Sequence, residues 1–474
     1  MNFHKIAAFS IGPLTSAAIS LISIPILTWI YAAEDIGRYA MLQVAINFAL
    51  LFFTVGLDQA FVREYHEAPN RPSLLKTTAL TGLTLLATTS LIQATAPELL
   101  SNFLFGLSGW PIGLLVQTTL LLAFLNRFLS LILRMQERGI AFSLSQVLSK
   151  VAFLAIILFY WITETRPDFG TLIAAHCISL AGVTIFLAWT TRKECAAAFS
   201  ADYDFALLRT LFKYSMPLTL SSLAFWVLIS VDKIFIREFS TFENLAIYSI
   251  SANFAAAAVI LQSIFSTIWA PTVYKWTAEN SNLEKIDLAT QLTTALVIII
   301  FSIAGLFSWT LTLLVPPEYS QIQFLIPACM AYPLLYTLSE ATFIGLGITR
   351  KSGYTMTAAI LAATANCLAN YFLVPPFGAA GAASATALAF WLFFVLRTEF
   401  SSRVWRPIPR LSIYTFSTIV TLLCILMALG STRTQIITST LWLLVGSASI
   451  FVYRNQISLL INIVLAKRRA AQIL

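Results

Sequence analysis

The sequence predicts an all-α membrane protein of about 14 transmembrane helices, arranged as two pseudo-symmetric six-helix bundles plus two C-terminal helices. Three observations predict it. Of the 474 residues, 58% are hydrophobic and only 11% are charged, against the roughly 25% charge of a soluble chain. The apolar residues fall into runs of about 20, the length that crosses about 30 Å of hydrocarbon as a helix. Lys and Arg gather in alternate connections between those runs, as they do when basic loops stay on one side of a membrane.

The runs lie at 6–31, 38–56, 74–95, 111–133, 141–162, 169–190, 215–236, 245–270, 287–315, 320–346, 354–374, 380–397, 411–430 and 435–453. The first is too long for the core of a secretory signal and no convincing cleavage site follows it, so it reads as a retained helix. With the N-terminus cytoplasmic, the even-numbered connections carry Arg63, Arg71 and Lys76; Arg134 and Arg138; Arg192, Lys193, Arg209 and Lys213; Lys275 and Lys285; Arg350 and Lys351; and Arg397, Arg403, Arg406 and Arg410. The tail adds Arg454, Lys467, Arg468 and Arg469. The odd-numbered connections carry only the single bases Arg38, Arg166, Arg237 and Arg433, and residues 95–110 carry none. Both termini are therefore expected on the cytoplasmic side.

The formal charge of +8 is explained by these loop bases, so no nucleic-acid partner is expected. The five cysteines, Cys177, Cys195, Cys329, Cys367 and Cys424, are odd in number and scattered, which argues against structural disulfides and a metal site. No Walker, GxSxG or HExxH motif occurs, so neither catalytic residues nor a cofactor is expected and the chain does not read as an enzyme.

The longest polar stretch is 191–214. Within it, residues 204–213 have helical periodicity and read as an amphipathic helix on the membrane surface. The tail after Arg454 reads the same way. A weak internal repeat divides the rest. Pro13-Leu14-Thr15 opens the first run and Pro217-Leu218-Thr219 the seventh, while Phe169-Gly170 opens the sixth and Phe377-Gly378 the twelfth. The two offsets nearly agree, and an even number of crossings between members makes the repeat parallel. The expected organisation is an N-terminal six-helix bundle at 1–190, a cytoplasmic linker with the amphipathic helix at 191–214, a second bundle at 215–398, and two further helices with a basic tail at 399–474.

Ionisable residues inside spans are costly and mark functional candidates. Lys150 lies about nine residues into the fifth run, roughly 14 Å deep, where an ammonium needs a wet cavity or an anion; the alternative is a shifted helix end with the side chain snorkelling. Arg127 is on the same helix face as Arg134 and roughly 10 Å inside; it serves either as a cavity cation or by snorkelling to the interface. Asp232 and Lys233 are adjacent in the seventh run, toward its periplasmic end, and point about 100° apart, so they are not each other's partner; an interfacial position is the alternative to a cavity role. Gln43 and Asn47, and Asn366 and Asn370, form i,i+4 polar stripes suited either to a sugar-binding cavity or to helix packing. Glu340 and His176 are candidates for protonation in a transport cycle, with structural hydrogen bonding as the alternative. Lys150, Lys233 and Arg127 would suit a phosphate or pyrophosphate.

Several segments resemble the bacterial polysaccharide and O-antigen flippase family of the multidrug/oligosaccharidyl-lipid/polysaccharide exporter superfamily. They are Leu211-Phe212-Lys213-Tyr214-Ser215-Met216-Pro217-Leu218, Val231-Asp232-Lys233-Ile234-Phe235-Ile236, Ala246-Ile247-Tyr248-Ser249-Ile250, Trp269-Ala270-Pro271, the stretch Gly56–Tyr65, and Gly378-Ala379-Ala380-Gly381-Ala382-Ala383. The resemblance implies a V-shaped pair of bundles around a cavity. It implies passage of a polyprenyl-pyrophosphate-linked oligosaccharide from the cytoplasmic to the periplasmic leaflet of a bacterial inner membrane by alternating access. Expected partners are that lipid-linked oligosaccharide, membrane lipids, a polysaccharide polymerase and a chain-length regulator; a monomer is the simplest expectation. Two related readings stay open. A multidrug and toxin extrusion antiporter usually has a carboxylate in the first helix, and residues 6–31 hold no Asp or Glu. A lipid II flippase shares the helix plan.

Overall fold

The computed structural model describes residues 3–163, 167–279, 283–430, 434–460 and 462, with the side chains of 3–10, 97, 278, 283, 352 and 435 excepted. Arg166, Arg433, Lys467, Arg468 and Arg469, and most of the expected tail helix, lie outside these residues. The helices in order are α1 (Phe3–Ile30), α2 (Ala33–Thr54), α3 (Leu57–Glu64), α4 (Arg71–Ala94), α5 (Pro97–Phe105), α6 (Trp110–Met135), α7 (Gly139–Ile162), α8 (Phe169–Thr190) and α9 (Arg192–Ser200). There follow α10 (Phe205–Phe239), α11 (Phe242–Ala255), α12 (Ala257–Ala278), α13 (Leu283–Phe307), α14 (Ile322–Cys329), α15 (Ala331–Ile348), α16 (Ser352–Val404), α17 (Leu411–Leu429) and α18 (Gln435–Val452).

Among the described residues, 12 helices are long and apolar enough to span a membrane, or 13 with the bent pair Ile436–Val452 and Arg454–Leu460. One of them, α16, is two helices joined at Gly378 (φ 53°, ψ −125°), so the eleventh and twelfth runs lie on its two limbs. The glycine is needed there because that left-handed φ strains any residue with a Cβ. Large apolar side chains such as Trp29, Leu91, Ile185, Trp189 and Leu422 are exposed, which suits a surface bathed in lipid.

The chain divides into two compact units, Met1–Trp226 and Val227–Leu474. In the first, α1 packs on α7, α7 on α8, α8 on α6 and α6 on α2. Its largest described cluster gathers Leu57, Phe61, Leu74, Phe124, Phe128 and Leu211. In the second, α15 packs on α16, α13 on α18, α16 on α17 and α12 on α15. The α13–α18 contact is tight: a Cβ on Gly305 would collide with the buried indole of Trp442. Gly305→Val should therefore destabilise the protein by about 1–3 kcal/mol, read as a lower melting temperature in detergent. An unchanged melting curve would contradict that packing.

Local chemistry sets several helix ends. Asp168 and Thr171 form a capping box that opens α8, with Thr171 N donating to Asp168 Oδ1 at 2.8 Å and Asp168 N to Thr171 Oγ1 at 3.1 Å. Glu34 and Asp35 lie in the first turn of α2, where the helix dipole favours acids. They pair with Arg38 at 2.6 and 2.9 Å. Arg38 is thus a helix residue of α2, which begins earlier than the apolar run.

Four features differ from the sequence expectation. Residues 204–213 are no separate surface helix: Phe205–Lys213 is the first part of the 35-residue α10, because no breaker intervenes and Pro217 is accommodated inside the helix. Residues 191–214 are pinned to α4 within the first unit. Lys76 Nζ donates to the carbonyls of Phe199 (3.1 Å) and Ala201 (2.6 Å), Ser73 Oγ to that of Asp202 (2.8 Å), and Asp204 N to Thr77 Oγ1 (3.1 Å). Lys76, read as a loop base, caps the C-terminal end of α9. Arg397, also read as a loop base, lies inside α16 and is only 2% exposed. The eighth run is interrupted at Ala256, between α11 and α12.

Candidate functional site

Each unit holds a polar cluster on its spanning helices. In the second unit, Asp232 of α10 is fully buried and receives four donors. Tyr248 Oη of α11 donates to Oδ2 at 2.7 Å and Thr386 Oγ1 of α16 to the same oxygen at 2.8 Å. Asn366 and Asn370, one turn apart on the first limb of α16, donate to Oδ1 at 3.0 and 2.7 Å. Asn366 also donates to the Leu228 carbonyl at 2.9 Å, and Asn370 Nδ2 to Asn366 Oδ1 at 2.9 Å. The Gly378 break lets α16 present Asn366 and Asn370 from one limb and Thr386 from the other.

Oxygens dominate this cluster. Asn370 Oδ1 is buried and accepts no hydrogen bond, beside a carboxylate whose direct partners are all neutral. A buried carboxyl of this kind on a spanning helix is a candidate for ion coupling. No group of three or more His, Cys, Asp and Glu side chains disposed to hold a metal occurs among the described residues. Lys233, the next residue, makes no hydrogen bond or ion pair among the described residues; it acts on Asp232 and Cys329 only through space.

In the first unit, Lys150 sits midway along α7, part-buried, with no hydrogen bond or ion pair among the described residues. It acts electrostatically on His176 of α8. The His176 Nδ1 is 3.1 Å from the Tyr39 hydroxyl of α2. Phe153, one helical turn from Lys150, stacks on Tyr39 at 5.5 Å between centroids and meets His176 edge-on at 5.7 Å. The ammonium therefore lies beside an aromatic and imidazole patch with no carboxylate bonded to it. Gln43, one turn beyond Tyr39 on α2, has a buried Nε2 without a partner, whereas Asn47 is exposed.

The remaining candidates are engaged. Arg127 of α6 donates through Nε (3.0 Å) and Nη2 (2.6 Å) to Asp58 Oδ2 of α3, with the arginine half-exposed and the aspartate buried. Asp58 was visible in the Gly56–Tyr65 stretch, but nothing local links it to Arg127. Glu340 of α15 accepts from Arg397 Nη2 at 3.1 Å. Arg397 also donates to Ser339 Oγ at 3.0 Å and lies 3.5 Å over the Phe343 ring. Asp232, Asn366 and Asn370 come together; Tyr248 and Thr386 complete their cluster. Asp58, Tyr39, Tyr248, Thr386 and Arg397 were not singled out from the sequence as site residues. Their polar or charged character was readable, but their partners lie on other helices.

Many apolar helices carrying charged groups within their spans define a multi-pass membrane protein. The chain matches the family described as "Polysaccharide biosynthesis protein" over residues 3–277, and it belongs to that family. It is 24% identical over 229 residues to the "Probable low-salt glycan biosynthesis flippase Agl15" of Haloferax volcanii, a match covering 47% of this chain and 48% of that protein. The chain thus spans about half the length of this curated relative. Its fold resembles the inward closed conformation of the lipid II flippase MurJ, with a TM-score of 0.67 at 14% identity over 95% of this chain and 99% of the other. It also resembles an inward-facing multidrug resistance MATE family transporter of the MOP superfamily, with a TM-score of 0.58 at 15% identity over 84% of this chain and 98% of the other. At these identities the likeness concerns the fold.

Proposed function

We propose that this protein is a transporter that moves a polyprenyl-pyrophosphate-linked oligosaccharide from the cytoplasmic to the periplasmic leaflet by alternating access. It would act in cell-surface polysaccharide synthesis at a bacterial cytoplasmic membrane, with both termini inside. The observation that carries the reading is the family match across the whole first unit and the start of the second. Lys150 supports it: an unpaired ammonium in a spanning helix suits a phosphate group. The antiporter reading lacks support from the first helix, where residues 6–31 hold no acid. A polymerase and a chain-length regulator are the proposed downstream partners, and Asp232 replaces Glu340 as the first candidate for ion coupling.

Deleting the gene, with no paralogue present, should trap the lipid-linked glycan in the cytoplasmic leaflet. Normal arrival in the outer leaflet would overturn the reading. Lys150→Ala should cut glycan export at least about tenfold with protein level unchanged, on the scale of losing a hydrogen bond to a charged group. Lys150→Arg should retain part of the activity. Full export by Lys150→Ala would remove Lys150 from the site without touching the function itself.

A further inference from the structure

A second site lies in the first unit, away from Lys150. A cavity of about 320 Å³ opens between α3, α4, α6 and α9. Its inner wall is apolar and buried, made by Phe61, Tyr65, Leu75 and Ile132. Its rim carries Arg71 and Lys193, both exposed. Arg71 commits only Nε, which donates to the Tyr65 carbonyl at 3.1 Å, and its guanidinium rests 4.9 Å from the Tyr65 ring. Its two terminal nitrogens, and Lys193 Nζ, make no hydrogen bond or ion pair among the described residues. Glu194, the one acid in the lining, is held by Gln136 Nε2 at 2.7 Å. The lining therefore keeps a net positive charge with donors to spare.

The cavity's place in the fold narrows the ligand. Arg71 begins one span and Met135 ends another, so the opening is at the level of lipid headgroups. The wall formed by α9 is fixed, because the segment that follows it is stitched to α4 by Lys76, Ser73 and Thr77. The volume is at the low end of the roughly 300–1,000 Å³ of small-molecule sites, too small for an oligosaccharide. Two cations with free donors above an apolar wall match a phosphate joined to a hydrocarbon chain. A free phosphate would leave that wall unused.

We propose that this cavity binds the phosphate of an anionic phospholipid of the surrounding leaflet, as a resident lipid separate from the transported one. The test is native mass spectrometry of the full-length protein titrated with phosphatidylglycerol or with phosphatidylcholine of the same chains. The wild type should retain phosphatidylglycerol preferentially. Arg71→Gln with Lys193→Gln should lower that preference about tenfold or more. Ala197→Trp, which fills the cavity and keeps both charges, should do the same with an unchanged melting temperature. Arg134→Gln with Arg209→Gln, bases outside the cavity, should retain it. Equal retention by the Arg71/Lys193 variant, equal loss in the Arg134/Arg209 control, or displacement by millimolar glycerol 3-phosphate would each overturn the proposal.

Discussion

Asp232→Ala should abolish transport and reduce the amount of folded protein. The carboxylate is the common acceptor for Tyr248, Thr386, Asn366 and Asn370. Its removal orphans buried donors, at about 1–3 kcal/mol for each that finds no substitute. Some will find one: Thr386 already reaches the Ala382 carbonyl at 3.1 Å and Asn366 that of Leu228 at 2.9 Å. A net cost of about 2–4 kcal/mol follows, readable as a lower yield of monodisperse protein by size exclusion. Asp232→Asn separates charge from packing. It keeps the volume and one acceptor, so protein level should stay near normal while transport is lost. Wild-type transport by Asp232→Asn would show that the negative charge has no part in the cycle.

The second large effect belongs to the Glu340–Arg397 pair. Glu340→Ala leaves a guanidinium that is 2% exposed without its counter-charge, and breaking such a pair costs about 3–5 kcal/mol. The Phe343 ring and Ser339 Oγ cannot replace a carboxylate. Adding Arg397→Met should restore most of the loss, since an apolar pair of similar volume is often no less stable than a buried ion pair. Thermal melting of the two variants decides it. If Glu340→Ala melts with the wild type, the pair is not the brace that its burial implies. A double variant that melts normally and still transports would take Glu340 out of the coupling machinery.

Both predictions rest on contacts that no window of sequence contains. Asp232 finds Asn366 134 residues away and Thr386 154 away, so its place in an apolar run was readable but its partners were not. The Asn366–Asn370 stripe suggested either a cavity or helix packing, and the fold turns it onto Asp232. Arg127 read either as a cavity cation or as a snorkelling side chain; α3 supplies Asp58 as its ion-pair partner. Arg397 looked like a loop base because it ends an apolar run; helix α16 continues past it to Val404. Lys150 is different. Its depth in an apolar run suggested a wet cavity or an anion, and no described residue pairs with it.

The sequence by itself determined that this chain crosses a membrane many times, and roughly where. Each crossing depends on the hydropathy of about 20 consecutive residues and needs no knowledge of the others. The Phe-Gly pairs read as openings of the sixth and twelfth runs; Phe169-Gly170 follows the Asp168 cap of α8, and Gly378 sits where α16 breaks. Only the tertiary structure decided which intramembrane charges are neutralised and which stay available. That depends on which helices touch, and buried polar groups select their partners by distance in space. It is why Glu340, Arg127 and Arg397 prove to be paired, why Asp232 gathers four neutral donors, and why Lys150 and Lys233 have no hydrogen-bond or ion-pair partner among the described residues.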